Sequence, residues 1–347
     1  MVHFAGLDVS VKATSVCGVD DAGKVVLERK NTDRAGRYHR RSDLAWCVLW
    51  PDRDRGWSAS QWLVKLMAAD LPVICVETRH MKALLTAQQI SKTDRNDARG
   101  IAQMMRVGLF KPVHVKTLVA QEQRMLLTSR KLLQRKLLDV ESDLRGTLRN
   151  FGLKVGVVSS FRYDARVREL VAGFPRLAAN VEPVLSVRQV MRQQFAVLHK
   201  MLLDMVRADL VCRRLMTAPG VGAVVALTYR ATVDQPQRFV HSRAVGAHVG
   251  LTPKRYQSGE IDYDGGVSKC GDALLRTMLY EAAHVLLTRG AKWSWLKAWG
   301  VRVAQRRGMR RAIVAVARRL AVVLHRMWVD GSEFRWSKDR TAVPAVA

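Results

Sequence analysis

The sequence predicts an α/β domain built on a mixed sheet, then long amphipathic helices, then a mainly helical C-terminal domain. Three observations predict it. Over the first hundred residues, short apolar runs of strand character alternate with helical runs. From Leu118 to Phe151 there is no proline, and leucine or methionine recurs at heptad-like spacing (Leu118, Met125, Leu132; Leu137, Leu144). Beyond residue 213, apolar stripes at intervals of three and four are punctuated by glycine turns. The expected boundaries are 1–116, 117–212, 213–335 and a loose tail at 336–347.

Residues 3–9 read as a first strand, and Thr14–Val19 and Lys24–Arg29 as two more, with Asp20-Asp21-Ala22-Gly23 as a hairpin turn. Leu44–Trp50 is an apolar run that meets Pro51, followed by a charged loop. Residues 60–69 read as helix, Leu71–Val76 as a buried-type strand and Met81–Ile90 as a short helix. Asn96–Val107 is the next helix. Strands alternating with helices after an antiparallel hairpin suggest a mixed sheet flanked by helices. Residues 152–180 read as a mixed connection. Val184, Val187, Met191, Phe195, Leu198, Leu202 and Met205 form a second helical stripe. Two such helices suit an antiparallel hairpin or an intermolecular coiled coil.

Ala218–Ala223 reads as a tight turn before an apolar helix, and Ser258–Gly271 as a glycine-rich loop. Asp272 is placed as the N-cap of the helix that follows. Arg302, Arg306, Arg307, Arg310 and Arg311 lead a last helix whose apolar positions pack inward, and no acid occurs from 301 to 329.

The stretch Ser91-Lys92-Thr93-Asp94-Arg95-Asn96-Asp97 opens a helix with two carboxylates three residues apart, on one face. Such a pair repels, and protons, basic neighbours or a divalent ion must offset the charge. The same spacing also suits a capped helix, with Asp94 as N-cap and Asp97 as its acidic N3 partner. Asp8 lies inside the apolar first strand, where an unpaired carboxylate is costly. An acid on a first strand facing acids at a later helix start is the arrangement by which ribonuclease-H-like nucleases grip metal ions.

The 347 residues carry 58 Lys+Arg against 30 Asp+Glu, a net charge of +28. A chain this basic points to a polyanion, nucleic acid before membrane, because the cations are spread over many segments. No run of eighteen uncharged apolar residues and no signal-peptide pattern occurs. Five scattered cysteines without a CxxC give neither a zinc signature nor a disulfide framework, and a reducing cytoplasm is expected. Lys254, Arg255, Lys269, Arg306, Arg307, Arg310 and Arg311 are the expected phosphate contacts. Ser268 precedes a helix N-terminus, where free N–H groups favour a phosphate and a hydroxyl could attack one; a serine in a glycine-rich turn is also an ordinary turn residue.

Five motifs in order carry a resemblance: Gly6-Leu7-Asp8, Lys92 to Ala98, Pro219-Gly220-Val221-Gly222, Gly250-Leu251-Thr252-Pro253 and Ser268-Lys269-Cys270-Gly271. The chain resembles the DEDD insertion-sequence transposases, the group of the Piv-type invertases and the bridge-RNA-guided recombinases, over nearly its whole length. The resemblance implies a ribonuclease-H-like, resolvase-like domain, a coiled-coil spacer and a C-terminal transposase domain. It implies Mg²⁺ (or Mn²⁺) held by Asp8, Asp94 and Asp97. It implies Ser268 as a nucleophile forming a phosphoserine bond to DNA. It also implies a structured noncoding RNA as guide, and a homo-oligomer, dimer or tetramer, whose subunits combine the two sites. The sequence departs at the family's second acid, whose register falls in Asp52–Ala59 without a Glu. Asp54 or Glu77 is the substitute considered. The alternatives are a resolvase-like metal nuclease without a covalent intermediate, or an impaired copy that only binds nucleic acid.

Overall fold

The computed structural model describes residues 2–9, 13–32, 44–49, 73–76, 78–88, 91–289 and 292–337. The helix expected at 60–69 lies outside them. Two compact units are present, Met1–Leu118 and Val119–Ala347.

In the first unit, β1 (His3–Val9), β2 (Ala13–Val19), β3 (Val25–Thr32), β4 (Leu44–Leu49) and β5 (Val73–Val76) form one sheet in the order β3-β2-β1-β4-β5. The first three strands are an antiparallel meander, and β4 and β5 run parallel to β1. The expected turn joins β2 to β3: the Gly23 N–H donates to the Asp20 carbonyl (2.9 Å) and the Lys24 N–H to the Asp20 carboxylate (2.8 Å). α1 (Thr78–Gln88) starts three residues earlier than the apolar pattern suggested. α2 spans Asp94–Arg106.

Alternation along β1 sends Ala5, Leu7 and Val9 to one face, all buried, and Phe4, Gly6 and Asp8 to the other. α2 lies on that second face, burying Ala98, Ile101, Ala102, Met104 and Met105. The approach is very close. A Cβ at Gly6 would stand 2.5 Å from the Ala102 amide nitrogen and 2.9 Å from the Ile101 Cβ, so only glycine fits.

The second unit begins with two long helices, α3 (Leu118–Asn150) and α5 (Pro175–Ala208), with α4 (Tyr163–Val171) between them. The connection expected at 152–180 is mixed, with α4 and the first turns of α5 in it, and Pro175 sits at a helix start, where its missing N–H costs nothing. α3 and α5 run antiparallel. Leu126 and Leu127 share a core with Leu202 and Val206, Arg130 donates to His199 (3.2 Å), Glu141 pairs with Arg188, and Leu148 packs near Val181. As one index rises, the other falls in step. The hairpin reading therefore holds within one chain.

Arg188 is fully buried in that hairpin. It donates to Glu141 (2.9 Å), to Asp164 (2.6 Å) and to the Ser160 carbonyl (2.7 Å), and lies 4.6 Å over the Tyr163 ring. The sequence pattern shows nothing of this network, since Arg188 neighbours the apolar Val187 and reads as a surface charge.

The rest of the unit is α6 (Leu210–Leu215), α7 (Ala223–Val233), α8 (Arg243–His248), the ribbon β6 (Pro253–Ser258) and β7 (Ile261–Val267), α9 (Ala273–Thr288), α10 (Trp295–Arg307) and α11 (Met309–Val329). Two expectations change here. The segment 258–271 is mostly an antiparallel strand and not a loop. Gly259, at φ +56, makes the turn, and Tyr256 faces Tyr263 across the ribbon (5.4 Å). The last basic helix is two helices, broken at Gly308, whose φ of +79 no helix accommodates. Trp336, expected in the loose tail, packs edge-on against the buried Phe334, and its carbonyl accepts from the Trp295 N–H; residues 338–347 lie outside the described set. α9 and α11 are the largest contributors to the core, where the Tyr229 hydroxyl donates to the Ala321 carbonyl (2.7 Å).

Replacing Arg188 by Met leaves Glu141 and Asp164 facing each other without a counter-charge. The expected loss is about 3–5 kcal/mol in the helical unit, read by chemical denaturation at neutral pH. A triple variant that also carries Glu141→Gln and Asp164→Asn should recover most of it.

Candidate active site

The first cluster forms where β1 ends beneath the first turn of α2. Asp8 lies two residues beyond Gly6 on the same face, so the packing that seats α2 on Gly6 also turns Asp8 toward the helix start. The helix is capped by Thr93, whose hydroxyl accepts from the Asn96 N–H (3.1 Å). The Asn96 side chain in turn donates to the Ser91 carbonyl (3.1 Å). Asp94 is therefore the first helical residue and Asp97 the fourth. The reading of Asp94 as N-cap with Asp97 as its box partner is overturned: Thr93 takes the cap, and neither carboxylate is spent on it. Both still gain from the helix dipole.

The three acids feel one another. Burial pushes the Asp8 carboxyl up to about 6, and the negative charges of Asp97 and Asp94 push the same way, against Lys92. Asp97 is raised too, chiefly by burial, with Asp94 adding and Lys92 opposing. No such field exists around an isolated strand-end aspartate. Across the sheet, Asp8 is in register with Ser15, and Ser15 with Lys30. Lys30 extends from that row to within 3.4 Å of Asp94. Two residues back along β3, on the same face as Lys30, Glu28 pairs with Arg95 and with Arg99 (2.9 Å). A concavity of about 590 Å³ opens here, lined by Ser15, Lys30, Thr93, Asp94 and Arg95 among others. Lys30 and Glu28 were not singled out from the sequence, because only strand pairing brings β3 beside α2.

As donors for a cation, three carboxylates supply the hard oxygens that Mg²⁺ or Mn²⁺ prefers. Their mutual repulsion is the kind that a divalent ion relieves. Among the described residues, however, no three His, Cys, Asp or Glu side chains stand close enough to form a closed metal group. The considered fourth acids, Asp54 and Glu77, lie outside the described residues.

The second cluster, in the other unit, surrounds Ser268. This residue follows β7 directly and is half-buried. Its N–H donates to the Thr252 carbonyl (2.8 Å), and its Oγ accepts from the Cys270 N–H (3.4 Å). Lys269 takes a left-handed backbone (φ +53), and its N–H donates to the Gly250 carbonyl (3.2 Å). The loops at 248–252 and 268–271 press together backbone to backbone. A Cβ at Gly250 would meet the Cys270 nitrogen at 2.6 Å, and one at Gly271 the Val249 carbonyl carbon at 2.8 Å. The Arg276 guanidinium ties both loops, donating to the Val249 and Lys269 carbonyls (each 3.1 Å). Asp272 caps α9 as expected, accepting from the Leu275 N–H (2.8 Å). The result is a fixed serine just ahead of a sixteen-residue helix.

The expected phosphate contacts divide. Lys254 and Arg255 stand exposed on β6, but Arg255 forks onto Asp262 of β7. Lys269 is exposed beside Ser268. Arg306 and Arg307 close α10, where the helix dipole favours cations. Arg310 and Arg311 open α11, where it opposes them, and the first turn has neither an acid nor a side-chain cap. An external anion would offset that arrangement. None of the described helices is long and apolar enough to cross a membrane.

Two family models match the chain: a transposase family, DEDD_Tnp_IS110, over residues 5–152, and the transposase IS116/IS110/IS902 family over residues 212–298. The transposase for insertion sequence element IS1111A of Coxiella burnetii is 28% identical over 93% of this chain and 88% of its own. A probable family 20 transposase of Pseudomonas aeruginosa is 26% identical over 92% and 94%. Among solved structures, T. thermophilus RuvC in complex with a Holliday junction substrate matches at 18% identity and a TM-score of 0.26, over 33% of this chain and 100% of that one. A likeness that slight carries no further weight.

Because the folded Asp8 carboxyl titrates near 6 and an unfolded one near 3.8, the folded state holds the extra proton between those values. Stability therefore falls as pH rises from 4 through 6. Asp8→Asn removes that dependence. It should raise stability by roughly 1–2 kcal/mol at pH 8 in metal-free buffer, the partly open site keeping the gain below the full pKa equivalent, with little change at pH 4. Denaturant titrations at the two pH values measure the difference.

Proposed function

We propose, on the premise that this chain belongs to the DEDD-type insertion-sequence transposases, that it cuts and rejoins DNA through two specialised sites. The enzyme is a DNA transposase. Its finer mechanism is our reading, and one observation carries it: Gly6 seats α2 so that Asp8, Asp94 and Asp97 share one electrostatic field. The order β3-β2-β1-β4-β5, an antiparallel meander joined to parallel strands, supports a ribonuclease-H-like sheet beneath them. The proposal keeps the division at 1–116, 117–212 and 213–335, with the tail at 336–347.

Asp8, Asp94 and Asp97 would hold Mg²⁺ (or Mn²⁺), which when bound supplies charge neutralisation at the scissile phosphate. Lys30 and Arg95 line the adjoining concavity, and by exchanging their ion pairs with Asp94 and Glu28 for phosphates they would hold the strand. Ser268 Oγ attacks phosphorus, forming an O–P bond as one ester P–O bond breaks. The hydroxyl proton leaves and the departing strand end takes one up. Attack by that end on the phosphoserine reverses the step, so the phosphoester bond energy is retained and no ATP is needed. The Cys270 N–H on Oγ and the start of α9 fix where the phosphate sits. A homo-oligomer, dimer or tetramer, and a structured noncoding RNA as guide complete the proposal, as does a cytoplasmic, nucleoid-associated setting. The net charge of +28 supports polyanionic partners.

The test is a denaturing gel of supercoiled or junction DNA carrying the element's ends. Wild type should leave protease-sensitive protein-linked DNA, and Ser268→Ala none. Asp8→Asn and Asp97→Asn should lower strand cleavage about a hundredfold or more. Metal-dependent nicking by Ser268→Ala at the wild-type rate, with no adduct in either protein, would replace the serine step with a water nucleophile. Nucleic-acid binding without cleavage by wild type under any divalent ion would mark an impaired copy.

A further inference from the structure

α11 carries a second arginine stripe that the phosphate contacts named above only begin. Arg311, Arg318 and Arg326, with Ala315 and Val322 between them, recur every three or four residues along one face, opposite the buried face of Ile313, Val316, Leu320 and Leu324. This face lines a groove of about 1470 Å³. Arg243 from α8, Arg319, and Arg335 beyond α11 complete a set of six arginines on it. Two acids, Asp330 and Glu333, also line the groove, yet none of the six arginines forms a salt bridge among the described residues. The Arg318 stem is seated on Gly246, where a Cβ would stand 3.0 Å from its Cγ.

Most of the remaining lining is apolar or aromatic, with His241, Ser242 and Ser332 as its polar members. Leu251, Pro253, Val267, Val314, Val322 and Val323 contribute, with Trp295 and Trp299. Arg319 lies 5.1 Å over the Trp295 ring and 4.5 Å over that of Trp299. Small-molecule pockets are typically about 300–1,000 Å³ and mostly apolar, so this volume and this charge suit a polymer better. A duplex offers phosphates outward and hides its base faces. A single strand offers both, and a groove with arginines above apolar and indole surface matches both. Val267 and Pro253 place one end of the groove at the foot of the β6–β7 ribbon, directly before Ser268.

We propose that this groove binds a single strand of DNA and leads it to Ser268. The location of the scissile strand rests on the serine reading above; binding in the groove does not.

The experiment uses the full chain with fluorescein-labelled dT12, rU12 and a dT12·dA12 duplex, read by polarisation and by intrinsic tryptophan fluorescence. Wild type should bind a single strand at least tenfold tighter than the duplex, with quenched tryptophan emission. It should also bind dT12 more tightly than rU12, and the reverse order would overturn the proposal in favour of an RNA occupant. Arg318→Glu with Arg326→Glu should lose at least tenfold in single-strand affinity. Arg318→Ala with Arg326→Ala should flatten the log–log salt dependence by about 1.4, at about 0.7 per phosphate contact. The control Lys131→Glu with Arg135→Glu, on α3, should lose less than threefold. Ser268→Ala should bind as wild type, which separates this proposal from the covalent mechanism. Equal loss in the control, equal affinity for duplex, or an unquenched tryptophan signal at saturation would overturn it.

Discussion

The contact on which the first unit depends is the approach of α2 to the backbone of β1 at Gly6. A methyl group there would collide with the helix backbone at Ala98 and Ala102. Helix and strand could then meet only at a greater distance, and the first turn of α2 would move away from the end of β1. Ile101, Ala102 and Met104, all buried, hold the helix down against the repulsion of the three carboxylates at its start. Apolar packing thus keeps a charge arrangement that would otherwise spread apart, and the Asp8 carboxyl is raised first by its burial and then by the charges of Asp97 and Asp94.

The second unit solves a different problem with a similar device. Ser268 sits between a strand end and a helix start, two places where backbone groups lack regular partners. Gly250 and Gly271 let two loops touch backbone to backbone, and Arg276 supplies donors to the carbonyls that contact leaves over. The hydroxyl is therefore positioned by main chain and one guanidinium, not by packing of its own small side chain. Its base, if the chemistry uses one, is not among the hydrogen bonds made by Oγ to the described residues.

Charge is distributed with the same economy. Acids concentrate in the first turn of α2, while α10 and α11 have none between residues 301 and 329. Arginines at the N-terminal end of α11 are placed against the helix dipole, and those lining the groove lack carboxylate partners among the described residues. Isolated from nucleic acid, both placements cost stability. A polyanion would offset both placements. Arg188 is the contrasting case: two carboxylates and a carbonyl satisfy it fully, and it serves the hairpin alone.

Periodicity made the long helices legible, and alternation with turn residues made the β1–β3 meander legible. Both are local signals, written within one element. The acid at position 8 stood out for a local reason too, as a charge inside an apolar strand. What no local signal carries is pairing. The β6–β7 ribbon was hidden behind its glycines, since the Tyr256–Tyr263 partnership exists only once the two strands face each other. Lys30 reaches Asp94 across a separation of 64 residues because strand register places it in one row with Ser15 and Asp8. Thr93 displaced Asp94 as the cap because the backbone entered the helix one residue earlier than the charge pattern suggested. Residue types and spacing singled out the groups able to carry chemistry, the acids at 8, 94 and 97 and the hydroxyl at 268. Where those groups meet, and which of them are already spent on caps and ion pairs, was decided by the long-range packing of strand, helix and loop backbones.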